Sequence, residues 1–421
     1  MVLPLAVILW WVFGSYYRIN IFASISYFSD DGWCNSQVIG NHCFGDYFYL
    51  IRLFSRDNPW DGFIGTNPLP GLGYFPIGFT NFLGNLFHNE NLGFWIFQFS
   101  LFLSLSIPAI WASRGMDLER RALIFLIIGP ASMPALVALD RGNPVGFLAP
   151  VLLWFIVSVE RSNKAQVVLA IVIASALKPH FIALIIILIS LKWWKETIAG
   201  LLSFLTLQVL GFLLWPSDFP QSIISFLEMA KSFQTYNPVE KEYPGGISFA
   251  EGVYIIEGFI RTNLHSFGVI GSPSYLSVRF TTAIGFTILC MVSIAVICAR
   301  RKIPTLLAST LMISTISMAP GTSNPYYSVF GLAVASILIR TPNSETISST
   351  PKMVQISLVI ATTITMIWLP IPAVLSVGEF GLIKTSIGLI PVSWLLTILI
   401  SILYMVKARK IEPNYHHQAV I

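Results

Sequence analysis

Four short polar stretches hold most of the residues with chemical potential. The first is "GDYFYLIRLFSRDNPWDG" (45–62), led by Asp46. If 46–54 is helical, Asp46 stands at the helix start. A carboxylate there either caps free backbone N–H groups or acts as a general base within hydrogen-bond reach of a substrate. Asp30 and Asp31, upstream, read as solvated loop, and Asp57 and Asp61 as turn residues around Pro59. The second stretch is "LDRGNP" (139–144), with Asp140, Arg141 and Asn143. Gly, Asn and Pro suffice for a turn, but they do not explain a cation. The planar fork of arginine binds two oxygens at once. Arg141 therefore either holds a phosphate or other substrate group, or pairs with Asp140 or Asp46. The third is "LKPH" (177–180), with Lys178 and His180. A lysine between apolar helices needs a phosphate or buried acid as partner, unless it snorkels to the interface. His180 is either a proton carrier or structural. The fourth is "APGTSNPYY" (319–327), where Asn324, Tyr326 and Tyr327 either bond to and stack on sugar or belong to an aromatic belt.

The elements that must position these residues are membrane helices. The 421-residue chain is 55% hydrophobic and 11% charged, against about 25% charged in soluble domains. Its mean hydropathy is +0.74. The expected fold class is an all-α, polytopic membrane protein forming a single domain over 1–421. About twelve transmembrane segments are expected, near 2–17, 93–112, 122–138, 145–159, 165–177, 180–191, 197–214, 281–299, 303–318, 327–339, 353–370 and 386–406. Some are short or re-entrant. The first shows no basic leader or cleavage site and reads as a retained helix. Residues 165–191 form two short helices meeting at "LKPH", because one continuous helix would bury Lys178 at mid-bilayer and Pro179 breaks the ladder. Two large extracytoplasmic loops, 23–92 and 215–280, carry interfacial helices such as "QSIISFLEMAKSFQ" and "SFAEGVYIIEGFIRT". Residues 407–421 form a cytoplasmic tail.

The net charge of +5 does not imply nucleic acid. Fifteen of the 25 Lys and Arg sit in short clusters between apolar runs, the pattern that orients a membrane protein. Placing them in the cytoplasm puts all four polar stretches on the outer face. Cys290 and Cys298 lie in an apolar helix, whereas Cys34 and Cys43 fall in the first outer loop and form a disulfide there or remain free thiols. Neither a metal-binding motif nor a phosphate-cradling glycine loop is present. No cofactor is called for. An enzyme on the outer face has no cytosolic nucleotide and needs an activated substrate that arrives through the membrane.

Several runs, in order, carry a family resemblance. They are the Asp-led helix (45–62), the Pro- and aromatic-rich "NPLPGLGYFPIGF", the turn "DRGNPVGFLAPVLLWF" and the small-residue helix "LAIVIASALKPHFIAL". Over about residues 40–340 the chain resembles the family 87 glycosyltransferases of the membrane-embedded GT-C class. The resemblance implies transfer of a sugar, mannose above all, from a polyprenyl-phosphate donor to a lipid or glycan acceptor with inversion. It also implies a multi-pass protein of a bacterial plasma membrane whose active site faces outward, with membrane lipids as its other partners. By position, Asp46 would be the general base and Lys178 the ligand of the lipid phosphate, with Arg141 beside it. Asp140, Asn143, His180, Asn324 and Tyr326 would line the substrate site. The chain departs from the family in carrying "DRGN" where a Gln is usual and "SNPYY" where a His is common. The competing functions are a transporter or flippase of lipid-linked sugar and a polysaccharide polymerase or ligase. Transporters show internal repeats and midplane ionisable groups, and neither is evident here.

Overall fold

In this computed structural model the described residues are 44–61, 69–235, 246–266, 279–299, 302–321, 323–340, 350–367, 374–376 and 382–410. The expected first helix, Asp30, Asp31, Cys34, Cys43 and residues 411–421 lie outside them. Helices α1 (Gly45–Phe54), α2 (Phe75–Leu86) and α3 (Glu90–Ala112) come first, followed by α4 (Leu118–Ile128) and α5 (Met133–Arg141). Next are α6 (Leu148–Glu160), α7 (Lys164–Leu177), α8 (Ile185–Ser190) and α9 (Trp194–Phe212). The expected second outer loop, 215–280, holds α10 (Gln221–Thr235) and α11 (Phe249–Ser266). Then come α12 (Arg279–Ala299), α13 (Thr305–Met318), α14 (Phe330–Ile339) and α15 (Lys352–Ile367). A three-residue antiparallel hairpin, β1 (Val374–Ser376) with β2 (Leu382–Lys384), leads into α16 (Thr385–Lys410).

Local sequence explains most of these starts and stops. Asn89, Asp117 and Asn163 accept backbone N–H bonds at the starts of α3, α4 and α7, the usual task of such side chains. Gly142, at φ 62°, closes α5 in the left-handed conformation that glycine adopts freely. A different device breaks the apolar helices at three places. Asn143, Lys178 and Asn324 each precede a proline and adopt extended backbone, as proline forces on its predecessor. A 3-10 turn follows in each case (144–147, 179–184 and 325–329), and then a new helix.

The centre of the molecule is α13, buried from Leu306 to Met318, together with α14 and α6. These helices pack on one another, and α3, α7, α15 and α16 surround them. The outer helices expose large apolar side chains, including Trp95, Phe99 and Leu103 on α3 and Ile198, Leu202 and Leu205 on α9. A continuous apolar exterior of this kind has lipid as its solvent. Among the described residues, two helices are long and apolar enough to span a bilayer, within 91–112 and 389–408. A third span results if α4 and α5 count as one, and seven shorter apolar segments of 10–17 residues accompany them.

The structure differs from the sequence reading in four places. Residues 122–138 are not one straight helix: α4 and α5 meet at 56° across "GPAS", where Gly129 ends one helix and Pro134, in the first turn of α5, helps to start the next. The stretch expected to be the first outer loop contains an unexpected helix, α2, packed tightly on α3. A Cβ on Gly93 would lie 2.6 Å from the Thr80 carbonyl oxygen, so only glycine allows that approach. Phe75, Phe79, Phe82 and Leu86 form an exposed stripe on α2. The short β hairpin was not foreseen, and α16 continues to Lys410 where a tail was expected from 407.

Candidate active site

Asp46 lies in the first turn of α1 but caps nothing. Its carboxylate turns to α5 and the turn that follows. Arg141 Nη2 donates to Oδ1 at 2.9 Å and Arg141 Nε donates to Oδ2 at 3.3 Å. Asn143 Nδ2 donates to Oδ2 at 2.7 Å. The ion pair is only about one-fifth exposed, so solvent screens it far less than a surface pair. Asn143 also accepts from Val145 N at 2.9 Å, which fixes its amide orientation and aims the NH2 at Asp46. Of the alternatives open to Arg141 in the sequence, the structure shows the pairing with Asp46.

The other two breaks come to the same place. The 325–329 turn packs on both α5 and the 144–147 turn, and the 179–184 turn packs on α13, which leads directly into the fourth polar stretch. Lys178 is 4% exposed, with its ammonium 5.3 Å from the centre of the Tyr327 ring. Asp46 and Tyr326 both act on it electrostatically. The His180 ring lies 5.8 Å from the Tyr327 ring, tilted to it by 48°, and its Nε2, shielded from solvent, has no hydrogen-bond partner among the described residues. Asn324 Nδ2 donates to the Tyr326 hydroxyl at 2.7 Å. Tyr326 in turn feels both Asp46 and Arg141.

Asp46, Arg141, Asn143, Lys178, His180, Asn324 and Tyr326 thus belong to one polar centre inside an apolar bundle. Asp140, the remaining expected residue, lines a separate cavity of about 250 Å³ with Phe44, Gln98 and Leu136. A larger apolar groove of about 610 Å³ is lined by residues of α2, α3, α6, α7 and α9, among them Leu177, the neighbour of Lys178 in the chain. The "DNPWDG" stretch keeps a structural role. Trp60 Nε1 donates to the Leu69 carbonyl at 2.8 Å, and its ring packs among Tyr74, Phe212, Trp215 and Phe226. This ties α1 to α9 and α10.

A model of glycosyltransferase family 87 matches residues 75–320. That span is more than half of the chain. The chain belongs to glycosyltransferase family 87. This family 87 protein is therefore a membrane-bound glycosyltransferase, with a sugar donor and an acceptor as its partners. The matched span includes Arg141, Asn143, Lys178 and His180, whereas Asp46, Asn324 and Tyr326 lie outside it. No curated protein and no solved structure matches the chain.

Sequence reasoning missed one neighbour of this polar centre, the segment 246–251 that packs behind the fourth stretch. Ile247 N donates to the Ser323 carbonyl at 2.6 Å, one residue from Asn324. The available signal was Ser248-x-x-Glu251 before an apolar run, a capping-box pattern.

Proposed function

We propose that this glycosyltransferase moves a sugar, mannose in the first instance, from a polyprenyl-phosphate donor to a hydroxyl of a lipid or glycan acceptor, with inversion, at the outer face of the membrane. Asp46 is the general base. The acceptor hydroxyl gives its proton to Asp46 as its oxygen attacks the anomeric carbon from the side opposite the lipid phosphate. The bond from that carbon to the phosphate oxygen breaks, and the lipid phosphate leaves with the electron pair. The observation that carries this reading is the Asp46 carboxylate, gripped by Arg141 and Asn143 with the buried Lys178 ammonium in electrostatic reach.

The details follow from that arrangement. Oδ1 accepts one hydrogen bond and Oδ2 accepts two, so Oδ1 is the oxygen with a lone pair for the acceptor. Arg141 and Asn143 hold the carboxylate in one orientation before the acceptor binds, which is the benefit of preorganisation. Lys178 supplies the positive charge that meets the phosphate charge growing on the leaving group. His180 Nε2 and the Asn324–Tyr326 pair supply hydrogen-bonding groups for sugar hydroxyls. The 610 Å³ groove that Leu177, the chain neighbour of Lys178, helps to line supports a lipid donor: Leu72, Phe75, Leu103 and Ile107 also line it, and several of these face the apolar exterior.

The test is transfer of radiolabelled mannose from polyprenyl-phosphate mannose to membrane lipids by the purified protein. Asp46→Asn is expected to lower transfer by at least 1,000-fold, roughly 4 kcal/mol, while Asp30→Asn leaves it within twofold. Full transfer by Asp46→Asn excludes it as the base. Passage of the donor across a proteoliposome membrane without bond cleavage would point to a flippase instead.

A further inference from the structure

The second outer loop contains a strap buried where a loop would ordinarily be wet. Residues 246–250 are all buried, and Glu251 is 5% exposed. Glu251 closes the strap on itself. Gly246 N donates to Oε1 at 2.9 Å, and Ser248 N and Ser248 Oγ donate to Oε2 at 2.8 and 3.1 Å. Glu251 N donates back to Ser248 Oγ at 3.2 Å. Between these bonds, Ile247 N reaches out to the Ser323 carbonyl, and Ser323 Oγ donates to the Ser317 carbonyl at the end of α13. Gly246 fits because it has no side chain: a Cβ there would sit 2.3 Å from Glu251 Oε2 and 2.6 Å from the Ser323 oxygen.

We propose that Glu251 is a positioning residue for the donor half of the active site: by locking 246–251 onto Ser323, it holds the Asn324–Tyr327 turn against Lys178. Tyr327 supplies the ring beside the Lys178 ammonium and Tyr326 lies in its electrostatic reach. A slack turn therefore moves the surroundings of the phosphate-binding cation first. The Asp46 clamp is built from α1, α5 and the 144–147 turn, and the strap makes none of its hydrogen bonds. A helical cap kept only for stability would not need to be buried against a catalytic turn. This carboxylate is also a poor choice for stability: burial pushes its carboxyl up to about 7 despite its three hydrogen bonds. Removing it strands two buried N–H groups and a buried hydroxyl, and unmet buried donors are expensive.

The inference rests on the reading of Lys178 as the donor-phosphate ligand, and the experiment separates the two. Full-length Glu251→Ala, Glu251→Gln and Ser248→Ala are compared with wild type in detergent or nanodiscs. Hydrogen exchange is followed at the 246–248 amides, and kinetics are measured with polyprenyl-phosphate mannose as the donor. Glu251→Ala is expected to lose exchange protection at 246–248 and to raise the donor KM by about tenfold. The acceptor KM should stay within twofold and kcat within threefold. Glu251→Gln, which keeps one acceptor oxygen, and Ser248→Ala should fall between Glu251→Ala and wild type. Partial misfolding lowers kcat and leaves both KM values alone, so a fall in kcat without a donor KM change overturns the proposal. Lost protection with unchanged kinetics, or unchanged protection, overturns it equally. If Lys178→Ala leaves the donor KM unchanged while Glu251→Ala raises it, the donor assignment of Lys178 fails and the strap's role in donor binding stands.

Discussion

Asp46 takes all its hydrogen bonds from residues nearly one hundred positions away, and this separates its chemistry from its sequence context. At the start of α1 it could have capped free N–H groups, yet the α5 break brings Arg141 and Asn143 within 3.3 Å. The grip has two donors from one guanidinium, and a lysine ammonium cannot reproduce that fork. Arg141→Lys keeps the positive charge but gives up one of the two bonds. It is expected to reduce kcat by 10- to 100-fold with little change in either KM, equivalent to about 1.5–3 kcal/mol for a hydrogen bond to a charged group. Steady-state transfer kinetics with both substrates varied would show it, and a larger effect on donor KM than on kcat would return Arg141 to the phosphate.

Helix breaks are the elements that matter here. Each of the three X–Pro steps ends one helix in extended backbone and starts another through a 3-10 turn. The residue before proline is thus freed from the helix ladder, and its side chain can face the interior. Asn143, Lys178 and Asn324 are those three residues. The proline and the polar neighbour were both legible as sequence, and the break at Lys178 is where the charge argument put it. The strap is the fourth element, and it carries a pH signature. The Glu251 carboxyl is pushed from 4.5 up to about 7 by burial. A raised carboxyl favours the fold only while protonated, so its contribution is full below about 4.5. It is lost as pH rises from there to about 7, because the unfolded chain ionises first. The expected loss is on the order of 3 kcal/mol over that window. Chemical unfolding in detergent at a series of pH values should show this slope in wild type and a flatter one in Glu251→Gln. Parallel curves would mean that another group dominates.

At the scale of the whole molecule, the basic clusters meet at one end. Arg340 Nη1 donates to the Arg114 carbonyl at 2.7 Å and its guanidinium lies over Trp111, capping the C-terminal end of α3. Lys164 pairs with Glu196 at 3.2 Å, and Thr305 bonds Glu160. Helices α6 and α7 run from that end to the turns that carry Asn143 and Lys178. If the basic end is cytoplasmic, as charge orientation predicts, the polar centre faces outward. In a background lacking native cysteines, Gln221→Cys should react with a membrane-impermeant maleimide in intact cells. Arg114→Cys should react only after permeabilisation, and the reverse pattern would invert the topology.

Composition and hydropathy alone determined that this chain lives in lipid, because an apolar surface this large has no other stable solvent. Proline positions determined where the helices break, since they act through the covalent backbone of two adjacent residues. The charge distribution predicts an orientation, which the maleimide labelling tests. Which of the polar residues meet was decided only by the tertiary structure. Arg141 could have bonded Asp140, Asp46 or a phosphate, and nothing within a few residues of it selects among them. The packing of α1 and of the 325–329 turn on α5 makes that choice. Glu251 shows the same limit from the other side. Its capping box is written in "SFAE", but the burial of the strap depends on the hydrogen bond from Ile247 N to the Ser323 carbonyl, which joins two stretches far apart in the chain.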